Sequence, residues 1–170
     1  MVIINIHDYA NNFLYEEYGI SLDIPIKVNS RLKNCHGFYV YNDEKGLRIE
    51  LSKRLIDYAP DYIIKDVLRH ELIHYALHKL GRNFLDEDDD FKSELNKHDT
   101  SPSNYYPYIG VKYIIECRKC RSVGETSIKR HIEKNNEYTT GCCDEGYEYI
   151  GDAIYDGESR TEIIRRGCVD

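Results

Sequence analysis

The run DYIIKDVLRHELIHYALHK, residues 61–79, limits what this chain can fold into more than any other stretch. Ile63, Ile64, Val67, Leu68, Leu72, Tyr75 and Ala76 recur at steps of three and four, the period of an amphipathic helix that must bury one face. Pro60 suits the opening of that helix and Gly81 its end. Four residues separate His70 from His74, so the two share a helical face with their backbones about 6 Å apart along the axis. Such a pair can aim two imidazole nitrogens at one metal ion, and with Glu71 it spells the zinc-chelating pattern H-E-x-x-H. Glu71 lies beside that face, where a carboxylate can hold a water at the metal without joining the ligands. Zinc brings the pKa of such a water to about 7, and a nearby carboxylate can take its proton during attack on an amide carbonyl. The pattern therefore predicts a catalytic zinc, with Glu71 as general base in peptide hydrolysis.

A catalytic zinc takes three protein ligands and leaves the fourth position open. His78 sits eight residues after His70, about 12 Å along the same axis, too far to share an ion with both histidines. A better third ligand comes from a chain that turns back at Gly81, and the cluster Asp86, Glu87, Asp88, Asp89, Asp90 offers five carboxylates. Spacing does not choose among them.

Around this helix the pattern predicts a helix from Ile6 to Tyr18 stopped at Gly19, a strand in IPIKVN, a hairpin made by GFYVYN and LRIELS, and a short helix carrying Phe91 and Leu95. Asp99 to Gly110, DTSPSNYYPYIG, has the composition of a connection. The expected organisation is thus a domain over 1–98, a linker over 99–110, a cysteine-bearing segment over 111–150 and an acidic tail over 151–170. No apolar run approaches the roughly 18 residues of a membrane span, and the start lacks the basic flank of a secretory signal, so a cytoplasmic protein without membrane contact is expected. In that reducing setting the six cysteines favour metal binding or buried thiols over disulfides.

HELIHY at His70 to Tyr75, the LGRNF after it, the D-x-D-x-D-F ending at Phe91 and the following SEL together resemble the SprT-like (Spartan-related) zinc metallopeptidases. IPIKVNSRLKNCHGFYV and LRIELS are similar to the strands that precede the motif helix in that family. The resemblance implies an α+β, zincin-like domain with a small zinc-ribbon-like segment, zinc ligands at His70 and His74, and the general base at Glu71. Many relatives place a third histidine after the helix. The corresponding position here is Asp86, as in a bacterial subset of the family, so Asp86 is the implied third ligand.

Cys117 and Cys120 have the C-x-x-C spacing of a zinc knuckle. The family's second knuckle reads Y-x-C-x-x-C, but YTTGCCDEG puts Thr140 at its first cysteine position and Cys143 at its second. Adjacent Cys142 can supply the fourth thiolate of a structural zinc, with His131 or Cys168 as substitutes. Residues 112–134 carry seven Lys or Arg against three acids, a bias suited to phosphates, and the family's best-known members act on proteins attached to DNA. The net charge of -7 opposes whole-surface attraction to nucleic acid. The expected activity is zinc-dependent endopeptidase action on protein, including DNA-bound or DNA-crosslinked protein. Tyr105, Tyr106 or Tyr108 are candidates to assist at the carbonyl. The alternative is a non-enzymatic, metal-stabilised adaptor that binds nucleic acid or protein.

Overall fold

The structure is a computed structural model and describes residues 5–33, 35–42, 44, 46–103 and 106–164. It is a mixed α+β chain in two compact units, 1–106 and 107–170.

The first unit begins with α1, Ile6–Tyr18, whose N-cap Asn5 accepts a hydrogen bond from the amide of Asp8 and whose C-cap is Gly19. Three strands follow: β1, Ile26–Asn29, β2, Gly37–Val40, and β3, Arg48–Ser52. They form one sheet in the order β1-β3-β2, parallel between β1 and β3 and antiparallel between β3 and β2. β2 is therefore an outer strand. The six-residue helix α2, Lys53–Tyr58, comes next and was not legible in the sequence; Ser52 starts it by accepting from the amide of Leu55. The motif helix is α3, Asp61–Lys79, followed by α4, Asp89–Lys97.

The apolar stripe of α3 is buried as its period requires, with Ile63, Val67, Leu68, Leu72, Ile73, Ala76 and Leu77 fully enclosed. Ile49 and Leu51 of β3, Ala10 and Leu14 of α1, and Phe91 and Leu95 of α4 complete this core. At about 1.5–3 kcal/mol for each large aliphatic side chain removed from water, this burial fixes the rotation of α3 and hence the direction in which its polar residues point.

The second unit is an antiparallel sheet in the order β5-β4-β6-β7, made of β4, Ile109–Cys117, β5, Val123–Thr126, β6, Tyr147–Asp156, and β7, Arg160–Ile164. A short helix, α5, Lys129–Glu133, and a 3-10 turn at Asn135–Glu137 lie between β5 and β6. Two sequence boundaries differ here. The first unit runs through Tyr106, so most of the expected linker belongs to it. Of the expected acidic tail, 151–164 holds the end of β6 and β7, which pair with each other, and 165–170 lies outside the described residues. Charge tells which side of a strand faces water, not whether a strand exists. Among the described residues no helix is long and apolar enough to cross a membrane.

Candidate metal centre

Helix α3 ends in a turn that folds the chain back on itself. The amide of Arg82 donates to the carbonyl of Leu77 at 2.9 Å and that of Gly81 to His78 at 3.0 Å, with Gly81 at φ 68°. This paired capping pattern needs a left-handed residue, which glycine adopts without strain. The chain then passes over α3 and brings Phe84 and Asp86 to its histidine face. A second turn, in which the amide of Leu85 donates to Asp88 at 2.7 Å and that of Asp88 to Leu85 at 2.9 Å, presents Asp86.

Both histidine rings are oriented by main-chain carbonyls. Nδ1 of His70 lies 3.0 Å from the oxygen of Ser101 and Nδ1 of His74 lies 2.5 Å from that of Phe84. A carbonyl only accepts, so each Nδ1 carries the proton and each Nε2 keeps a lone pair. Those two Nε2 atoms lie 3.5 and 3.4 Å from Oδ1 of Asp86. Ligands about 2.0–2.2 Å from a tetrahedral zinc stand roughly 3.3–3.6 Å apart, so the donors and their spacing fit such an ion. Burial, outweighing the Phe84 and Asp86 contacts that oppose it, holds the pKa of His74 down to about 4, which keeps the ring neutral as a ligand must be. Phe91, fully enclosed, forms the floor: the His74 ring stacks on it at 3.9 Å and the His70 ring meets it edge-on at 5.1 Å.

Glu71 is 2% exposed and flanks the pair. β2 passes so close that a Cβ on Gly37 would stand 2.7 Å from Oε1 of Glu71 and 2.8 Å from Val67 Cγ1. Glycine is needed there for space. The two histidines, Glu71 and Asp86 open into a cleft of about 590 Å³ lined also by Phe38, Tyr39 and Tyr41 of the β2 segment and by Phe84, whose ring packs edge-on against Tyr39 and Tyr41.

A model of the SprT-like family matches residues 5–105. The chain belongs to the SprT-like family. It is 24% identical over 139 residues to the Protein SprT-like of Streptococcus mutans serotype c, covering 82% of this chain and 92% of that relative. The corresponding protein of Enterococcus faecalis is 30% identical over 107 residues, 58% of this chain and 69% of its own. That of Bacillus cereus strain G9842 is 35% identical over 83 residues, 48% and 52% respectively. The family match covers nearly all of the first unit and stops short of the second.

In this SprT-like chain two other acids of the 86–90 cluster have different tasks. Asp88 is used in the Leu85 turn, and Asp90 pairs with Arg82 at 3.5 Å. His78 stands apart from the cluster, its Nδ1 2.8 Å from the Tyr39 hydroxyl and its ring stacked on Phe84. Of the three tyrosines, Tyr106 gives its hydroxyl to Asp66 and Tyr108 donates to the carbonyl of Val111 at 3.1 Å. Tyr105 lies outside the described residues. What sequence reasoning missed is the segment after α4: composition marks DTSPSN as loop, but only its packing shows that Ser101 holds His70.

The second unit gathers the four remaining candidates. The Sγ atoms of Cys117, Cys120, Cys142 and Cys143 all lie within 4.8 Å of one another, and Cys120 and Cys142 are 3.5 Å apart. Tight turns make this possible, with the amide of Arg121 donating to Cys117 at 3.0 Å and that of Asp144 to Thr140 at 2.8 Å. Thr140, at the displaced cysteine position, donates its hydroxyl to Cys117 Sγ at 3.3 Å, while Cys142 brings the fourth sulfur. The Ser122 hydroxyl and amide, with the neighbouring thiols, draw the Cys120 pKa down to about 6, and Cys120 in turn pushes Cys143 up to about 12. Four sulfurs this close can all ionise only around a cation, and a zinc with Zn–S bonds of about 2.3 Å would space them roughly 3.8 Å apart. His131 is not among them; its Nδ1 contacts Thr126 at 2.9 Å. Cys168 lies outside the described residues.

Six of the seven cations of 112–134 are already ion-paired: Lys112 with Glu125, Arg118 with Glu148, Arg121 with Glu116, Lys129 with Glu133, and both Arg130 and Lys134 with Glu137. Three of those partners, Glu116, Glu125 and Glu133, belong to the same segment, and Glu137 and Glu148 come from outside it.

Proposed function

We propose that this SprT-like chain is a zinc-dependent endopeptidase of zincin-like architecture, acting on protein substrates. One observation carries the reading: two imidazole Nε2 atoms and one carboxylate oxygen converge at 3.4–3.5 Å beside a buried glutamate, at the floor of an open cleft. His70, His74 and Asp86 would hold the ion. Bound there, zinc supplies a Lewis acid that acidifies an attacking water and polarises the scissile carbonyl. Glu71 takes the proton from that water on its carboxylate and delivers it to the leaving amine nitrogen. Gly37, with no side chain, gives this carboxylate its room under β2. β2, an outer strand along the cleft, suits an extended substrate backbone laid beside it.

The four cysteines would hold a second zinc whose part is structural, since all four ligands come from the protein. An adaptor that kept metal only for folding would have no need of a buried carboxylate beside an open metal face, which favours the peptidase. The proposed substrate class is protein, because the site itself is built for attack on an amide carbonyl.

The test is Glu71→Gln, assayed against an unfolded protein substrate with zinc content measured in parallel. The expected result is a loss of cleavage of about 10²- to 10⁴-fold with zinc retained. Equal cleavage by both proteins would overturn the reading.

A further inference from the structure

The two carbonyls that orient the histidines are held very differently. The Phe84 carbonyl follows directly from the capped end of α3. The Ser101 carbonyl lies beyond α4, on a segment that begins with a second paired cap: Thr100 donates to Leu95 at 2.9 Å and Asp99, at φ 47°, to Asn96 at 3.3 Å. From there the loop must be drawn across to α3. The group that draws it is Asp66, one helical turn before His70 and 9% exposed. Its Oδ1 accepts from the amide of Ser101 at 3.3 Å and from Arg69 at 3.2 Å, and its Oδ2 accepts the Tyr106 hydroxyl.

We infer that Asp66 is a positioning residue for the metal centre, clamping Ser101 to α3 so that the Ser101 carbonyl fixes the tautomer and direction of His70, with Tyr106 as the second jaw of the clamp. The inference rests on the zinc reading above. The physical basis is that a metal-ligating imidazole is held by whatever its other nitrogen donates to. Here that acceptor is a loop carbonyl, and a loop carbonyl is only as fixed as its neighbours make it. Ser101 has its amide on Asp66 and its carbonyl on His70, so one residue couples the carboxylate to the ring. Loss of the carboxylate would leave three donors, the Ser101 amide, the Arg69 guanidinium and the Tyr106 hydroxyl, without this acceptor, and would release the loop.

The full chain is tested as Asp66→Ala and Tyr106→Phe, with zinc affinity read by competition against a chromophoric chelator and the visible spectrum of the cobalt(II)-substituted protein read beside it. Any near-ultraviolet thiolate-to-cobalt band from the cysteine cluster is an internal reference. Asp66→Ala removes every acceptor at this position and is expected to weaken zinc at the histidine site about 10- to 100-fold and to shift the visible cobalt bands, with the thiolate band unmoved. Tyr106→Phe keeps the carboxylate, and is expected to move both readouts the same way by less; it carries the test if Asp66→Ala does not fold. Folded variants with unchanged affinity and unchanged cobalt spectrum would overturn the inference while leaving the zinc reading intact. A wild-type chain that binds no metal at His70 and His74 would overturn both.

Discussion

The two candidate metal clusters of this chain solve opposite problems. The histidine cluster uses three protein ligands, two of them enclosed on one long helix, braced from behind by carbonyls and an aromatic floor and facing an open cleft. The cysteine cluster uses four sulfurs from two tight turns, with Cys120 and Cys142 exposed and only Cys117 buried. Three ligands backed by a rigid core leave a position for a reactant; four ligands on loops leave none and instead tie those loops together. A core of helices and sheet fixes the first site in advance. In the second, a bound ion would do the fixing.

That contrast can be broken by experiment. The largest effect is expected from Cys120→Ser, because the free energy of binding a structural zinc, on the order of 10 kcal/mol or more, is folding free energy for the turns that hold it. Hydrogen exchange should rise across Cys117–Cys143 while α3 and α4 keep their protection; unchanged exchange in the turns would mean that packing, not metal, holds them. Next comes Phe91→Ala, which removes the floor under both imidazoles and opens the cluster it shares with Ile73, Leu77 and Leu95. A loss of about 3–5 kcal/mol in unfolding free energy is expected for the first unit, measured by denaturant titration. A loss under about 1 kcal/mol would show that the platform is not part of the core. The smallest effect on stability is expected from Asp86→Ala, since that side chain is 72% exposed and packs against nothing that folding depends on. The metal-free protein should melt as wild type does, yet zinc at the histidine site should bind about 100-fold more weakly. Equal affinity would exclude Asp86 as a ligand.

How much of this was legible in the sequence follows the same division. Helices α1, α3 and α4 declare themselves because each carries an apolar stripe that only a helix can bury, and His70, Glu71 and His74 inherit their geometry from that helix. Asp86 could not be chosen from five neighbouring acids by spacing. The Leu85–Asp88 turn is what brings Asp86 within 3.5 Å of both imidazoles, and a family resemblance had to stand in for it. The short helix α2 has too few residues to show a period and depends on the Ser52 cap. The loop carrying Ser101 has the composition of a linker, and polar loops look alike whether they join domains or lie against an active face. Among the cysteines, the pairing of Thr140 with Cys117 and the use of Cys142 in its place arise from the backbone turn at 141–144, which residue types alone do not specify.

The central claim is one zinc held by His70, His74 and Asp86 next to Glu71. It is tested most directly by crystals of the full chain measured on both sides of the zinc absorption edge. The expected result is an anomalous difference peak about 2.0–2.2 Å from Nε2 of His70, Nε2 of His74 and a carboxylate oxygen of Asp86, with Glu71 beside the ion but outside its ligand set. An empty position between the two rings in crystals grown with zinc, or a peak bound through Glu71 instead, would contradict it.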